Sequence, residues 1–133
     1  MLTQSKIFIS LFLMLLLSAC SQPVTETPEA LVQAYQEAVV TQDTQKAALL
    51  FYVSDKDVPQ ELIGLISQGL QLKFNQLLAE HGPLASIELA DIQYAADNTQ
   101  AIAQVIFIYA HDKKIKEQWL LQKSQNNWKI KIE

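Results

Sequence analysis

The chain has 133 residues, half of them hydrophobic, and carries 14 acidic against 10 basic residues for a formal charge of −4. Every basic residue is a lysine, so the forked donor that reads phosphate and guanine is missing and nucleic acid is not an expected partner. One cysteine, Cys20, leaves nothing to pair within the chain, which excludes an internal disulfide scaffold.

Met1 to Lys6 is a short lead with one lysine, and Ile7 to Leu17 is an almost unbroken apolar run. This is the pattern of a secretory signal peptide. The run is shorter than the ~20 residues that a spanning helix needs. It ends in Leu17-Ser18-Ala19-Cys20, which resembles the lipobox of bacterial lipoprotein precursors. The resemblance implies cleavage before Cys20 and a diacylglycerol thioether on its sulfur, usually with a further acyl chain on the freed amine. Two acyl chains already anchor stably at ~0.8 kcal/mol per buried methylene, so the membrane is the expected partner through an N-terminal lipid. Ser21 in place of aspartate is similar to outer-membrane sorting signals, if the host has two membranes. An acylated Cys20 is also lost as a nucleophile or metal ligand.

Removal of residues 1–19 leaves 114 residues with nine lysines and fourteen acids, enough for one small domain. Residues 20–27 read as the lipidated cysteine and a short tether, because Ser21 to Thr27 is polar and contains Pro23. Seven residues reach at most ~25 Å, so the domain, residues 28–133, stays close to the bilayer.

Pro28 and Glu29 open a helical pattern in which Leu31, Ala34, Tyr35 and Ala38 share a face, ending near Thr41. Asp43 is placed to cap a second helix with Ala47, Leu50 and Phe51 on one side. Asp57 and Pro59 start a third, whose stripe is Leu62, Ile66, Leu70, Phe74 and Leu77 and whose end is Gly82-Pro83. Gly64 and Gly69 weaken its middle at ~1 kcal/mol each, which predicts a kink or a split near Ser67.

From Leu84 the apolar period becomes two and Ile, Val, Tyr, Phe and Trp take over. Ile87 and Leu89 are out of phase with Ile92 and Tyr94, which predicts a bulge near Asp91. Thr99 to Tyr109 is apolar on both faces, as expected of a central strand. His111 and Asp112 turn into a strand over Ile115 to Lys123, and Ser124 to Asn127 turns into Trp128 to Ile132. The predicted class is α+β, with N-terminal helices packed on a curved antiparallel sheet of about four strands in a cone.

The lipobox, Pro28-Glu29, Asp43 with Ala47, and the closing Trp128-Lys129-Ile130 resemble small bacterial lipoproteins of the lumazine-binding-like, domain-of-unknown-function type. The resemblance spans most of residues 28–133 and implies a fold similar to nuclear transport factor 2, also described as cystatin-like. It implies that any site lies in the cone between helices and sheet, and it transfers no catalytic residue.

Four residues are candidates for that site. Alternation puts Glu117 and Trp119 on one face of the third strand, with Trp128 facing alike on the fourth and Tyr109 at the end of the second. A carboxylate among apolar neighbours could act as an acid or base or hold a cationic or hydroxylated ligand. Equally, Glu117 could sit at the open end of the sheet and reach water, as mid-strand acids more often do, and the tryptophans could simply pack the helices. His81 and His111 lie far apart in sequence and read as surface residues, so no metal site is expected, and no cofactor. Asp112 to Glu133 holds six lysines and three acids. Lys114, Lys116, Lys129 and Lys131 project away from the tryptophan face, where they could meet anionic headgroups or an acidic partner, or else keep a solvated face from pairing.

The reading that follows is a lipid-anchored envelope protein whose pocketed domain binds a small ligand or an envelope protein, with a non-catalytic role favoured over an enzyme. A small hydrolase or isomerase-like enzyme using Glu117, and a structural envelope component using the lysine face, remain the alternatives.

Overall fold

A computed structural model describes residues 24–54 and 58–132. The signal segment, Cys20 and the Asp57 start of the third helix lie outside the described residues. Helix α1 spans Pro28–Val40, α2 Thr44–Ala48 and α3 Gln60–His81. The strands are β1 Phe51–Tyr52, β2 Leu84–Tyr94, β3 Gln100–Tyr109, β4 Lys114–Ser124 and β5 Asn127–Lys131. No described helix is long and apolar enough to cross a membrane.

Helix α1 opens at Pro28 and α2 is capped by Asp43, as the sequence predicts, whereas the Thr27 cap emerges from the structure. Thr27 caps α1 by accepting a hydrogen bond from the Ala30 N–H, and Leu31, Val32, Tyr35 and Ala38 form its buried face. Asp43 caps α2 by accepting from the Lys46 N–H. Phe51 leaves that helix for β1, because the Leu50 carbonyl is taken by the Ile130 N–H of β5.

Helix α3 differs from expectation in being continuous for 22 residues, with no split at Ser67. Its glycines explain this. A side chain at Gly64 or Gly69 would meet nothing within 4 Å, so both face open space and the packed side loses nothing. Ile63, Ile66, Leu70, Phe74 and Leu77 hold that side against the core, and tertiary packing of this kind outweighs local propensity. Ser67 itself is buried, and its hydroxyl donates to Thr44 Oγ1 at 2.7 Å, tying α3 to α2.

The sheet has five strands in the order β1-β5-β4-β3-β2. Four form the expected antiparallel meander, and the correction is β1, two residues that pair parallel to β5 through Phe51–Ile130 and Tyr52–Lys131 and make the sheet mixed. Two residues carry no periodicity to read. The expected irregularity in β2 lies between Leu89 and Asp91, and a second lies between Leu84 and Ser86. The turn at Gln125 and Asn126 has both residues at positive φ, the twist that a two-residue hairpin favours.

The helices cover one face of the sheet only. On β3, Ala101, Ala103, Val105, Phe107 and Tyr109 are buried, whereas Ile102 and Gln104 are exposed and Ile106 and Ile108 half-buried. The expected central strand is internal in the ladder, between β4 and β2, and only one of its two apolar faces is covered. A strand can be internal in the hydrogen-bond ladder of an antiparallel sheet while one of its faces stays open.

Backbone donors are met on the edge strand β2 and on β5 beside the two-residue edge strand β1. On β2, the Ile87 N–H donates to Gln36 Oε1 of α1 at 2.9 Å. On β5, the Ile130 N–H is covered by Leu50 and the Trp128 N–H by the Thr25 carbonyl at 2.7 Å. Thr25, assigned to the tether from sequence, is 2% exposed. Its N–H donates to Asn127 Oδ1 at 3.0 Å and its hydroxyl to the Trp128 carbonyl at 2.7 Å. The packed part of the chain thus starts three residues before Pro28.

Candidate functional site

The inner face of the sheet is built from large residues set against small ones. Ala103 of β3 lies opposite Trp119 of β4, and Ala101 opposite Leu121, so the missing volume on β3 admits the indole. Tyr35 descends from α1 into the same layer. Its ring meets Trp119 at 5.0 Å, Phe51 and Phe74 at 6.2 Å, and Phe107 at 6.3 Å, all edge to face. Such pairs add ~0.5–1.5 kcal/mol each beyond area burial.

Toward the end of the sheet that carries Tyr109, this layer thins into a cleft of about 100 Å³. The ends of α1 and α3 wall it with Val39, Leu77 and Leu78, Gly82-Pro83 closes one side, and Phe107 and Tyr109 form its floor. Gly82 is required here, since its φ of 77° lies in the left-handed region that terminates α3 and starts β2. Ligand pockets for drug-sized molecules hold ~300 Å³ or more, so this cleft suits a small fragment or a single inserted side chain. The groove between α1 and β2 at Gln33, Gln36 and Glu88 is wider, open and polar-rimmed, and a second wider groove of about 290 Å³ lies over Tyr94, Ile102 and Leu120 on an open, largely apolar surface.

Of the four sequence candidates, Tyr109 lines this cleft. Trp119 is a core ring, 8% exposed, under Tyr35 and Phe107. Trp128 is buried at the opposite end of the sheet, against Tyr94 at 5.8 Å, with Lys123 Nζ 6.0 Å from its ring. Glu117 is half-buried on the inner face opposite Val105, and its Oε1 is 3.6 Å from Lys73 Nζ of α3. Both side chains of that ion pair are substantially exposed, so it contributes well under ~1 kcal/mol.

Glu117 nonetheless acts on its surroundings. Burial first, then the Glu117 charge and Tyr109, push the Tyr35 hydroxyl above the ordinary tyrosine range, and burial and Glu117 push Tyr109 the same way. Both phenols stay protonated at neutral pH and can donate hydrogen bonds. The cleft therefore offers an apolar lining with a phenol donor, Tyr109, at its floor.

His81 departs from its expected surface placement. Its ring packs on Tyr109 at 5.1 Å and 49°, its Nε2 is 3.6 Å from Glu80 Oε2, and its Nδ1 is buried without a hydrogen-bond partner among the described residues. His111 is exposed in the 3-10 turn Ala110–Asp112, at φ 64°. No group of three or more metal-binding side chains occurs among the described residues.

Sequence reasoning missed Val39, Leu77, Leu78 and Phe107 as cleft residues. Each looks like ordinary core in a linear pattern. The available signal was Gly82-Pro83, since a helix end followed at once by a strand leaves a gap beside the turn.

No protein-family model matches the chain, and no curated protein matches its sequence. Among solved structures, it is similar to a Campylobacter jejuni protein named as an NTF2-like transpeptidase, with a TM-score of 0.63 and 15% identity over 80% of this chain and 99% of that one. It is also similar to a SEC-C motif containing protein from Rhodopseudomonas palustris, with a TM-score of 0.52 and 12% identity over 82% and 78% of the two chains. Identities this low speak for the fold alone. With helices on one face of an open mixed sheet, the domain has the NTF2-like fold.

Proposed function

We propose that this chain is a lipid-anchored lipoprotein of the cell envelope, of the lumazine-binding-like type, whose NTF2-like domain binds a small molecule or a partner's side chain in the Tyr109 cleft without catalysis. The observation that carries the binding role is the cleft itself, an apolar recess with a protonated phenol at its floor. Lys73 occupies Glu117 at 3.6 Å, which favours a structural over a catalytic carboxylate. The anchor rests on Leu17-Ser18-Ala19-Cys20 after the apolar run, and the outer membrane is its proposed seat in a two-membrane host.

Native mass spectrometry of the full lipoprotein in mild detergent tests the binding role. The expected result is a bound small molecule or protein that Leu77→Trp, which fills the cleft, displaces. Retention in Leu77→Trp would place binding elsewhere. Acyl labelling should vanish in Cys20→Ser, and persistent labelling would remove the anchor.

The half-buried place of Glu117 on the inner face, opposite Val105, carries one second reading, an enzyme with Glu117 as acid or base. Turnover of a substrate that Glu117→Gln abolishes, with binding retained, would overturn the non-catalytic reading.

A further inference from the structure

We infer that the anchor keeps the hairpin end of the sheet near the bilayer and bars the inverted pose, so that the Tyr109 cleft does not face the membrane. The ligand or partner then arrives from the aqueous compartment and not from the surface of the same membrane. This rests on the anchored-lipoprotein reading above.

The first observation is the latch. Thr25 is fixed to β5 by its N–H, its hydroxyl and its carbonyl, bonded to Asn127 Oδ1, the Trp128 carbonyl and the Trp128 N–H. The row continues across the sheet, because Trp128 pairs with Lys123 and the Lys123 N–H donates to the Thr99 carbonyl at 2.7 Å. Thr25 therefore enters the fold at the end of the sheet that holds the β2–β3 and β4–β5 hairpins.

The second observation is length. Cys20 and Thr25 are five residues apart, which an extended chain spans in at most ~17 Å. The cleft lies at the other end of β3, whose 10 residues cover about 30 Å at ~3.4 Å per step. A cleft facing the bilayer would lift Thr25 some 30 Å above it, roughly twice what the chain can reach. A hairpin end facing the bilayer satisfies the reach with slack.

The exposed groups at that end fit contact with headgroups. Val24 is 63% exposed and Tyr94 49%, an aliphatic and an amphipathic ring beside the latch. The charges there are mixed, with Glu26, Glu29 and Asp97 against Lys123 and Lys129. Tether length, and not attraction to anionic lipid, sets the orientation.

The test uses the lipidated full-length protein in phosphatidylcholine vesicles doped with a nitroxide-headgroup lipid. A fluorophore is placed at Ala96→Cys in the β2–β3 hairpin or at Lys113→Cys beside the cleft end. Quenching is expected at Ala96→Cys and not at Lys113→Cys, and adding about twenty Gly-Ser residues before Val24 should erase the difference. Equal quenching at both sites, or stronger quenching at Lys113→Cys, overturns the orientation. Loss of both vesicle flotation and Cys20 acylation would instead overturn the anchor on which it stands, and the two failures are read out separately.

Discussion

The two ends of the sheet are finished in opposite ways. At the hairpin end, Thr25 fills the β5 edge, the Trp128 indole lies between Tyr94 and Lys123, and backbone donors meet acceptors at 2.7 Å. At the other end, α1 and α3 stop, Gly82 turns the chain at positive φ, and a recess remains over Phe107 and Tyr109. The same strands run through both. What separates them is what lies above: at the hairpin end α1 begins shortly after the bonded Thr25, whereas at the other end α1 and α3 stop and hand their last carbonyls to caps or water.

Trp119→Ala should do the most damage, because the ring stands between the two ends under Tyr35. A loss of about 3–5 kcal/mol is expected, a large part of the stability of a small domain, and it should collapse the distinction between the ends. Chemical denaturation followed by circular dichroism measures it; a loss below ~1 kcal/mol would mean that Trp119 is not a core ring.

Thr25→Val keeps the shape of the latch and removes its hydroxyl. About 1 kcal/mol should be lost, and amide exchange should quicken at the hairpin end while the cleft end keeps its protection. Uniform acceleration would show that the ends are not separately organised.

Gly69→Ala should raise stability by about 0.4–1 kcal/mol, since the position is helical and open. A decrease would mean that this side of α3 is covered by something.

The smallest effect at neutral pH is that of Tyr35→Phe. The buried phenol ionises above the unfolded value of 10.0, so the folded state holds its proton longer than the unfolded one and stability falls as pH rises past about 10. Below that the contribution is fully present. Urea titrations at a series of alkaline pH values should show a shallower decline in Tyr35→Phe than in the parent, and parallel curves would refute the assignment.

Much of the architecture is written locally. Pro28, Asp43 and Gly82 mark helix ends because their preferences are set by the backbone groups beside them, and the shift from helical to alternate spacing at Leu84 marks the start of the sheet. The phase break between Leu89 and Ile92 is likewise visible along the chain, because a bulge moves every later side chain to the other face. Tertiary structure decided the rest. Two residues of β1, the continuity of α3 through two glycines, the one-sided covering of β3 and the capture of Thr25 by β5 all depend on which surfaces are brought together, and none leaves a periodic trace. The same holds for the site. Tyr109 could be picked as an aromatic at a strand end, but Trp119 and Trp128 look equivalent to it in sequence. Only the packing of α1 and α3 makes one of them core, one of them part of the latched end, and Tyr109 the floor of a cleft.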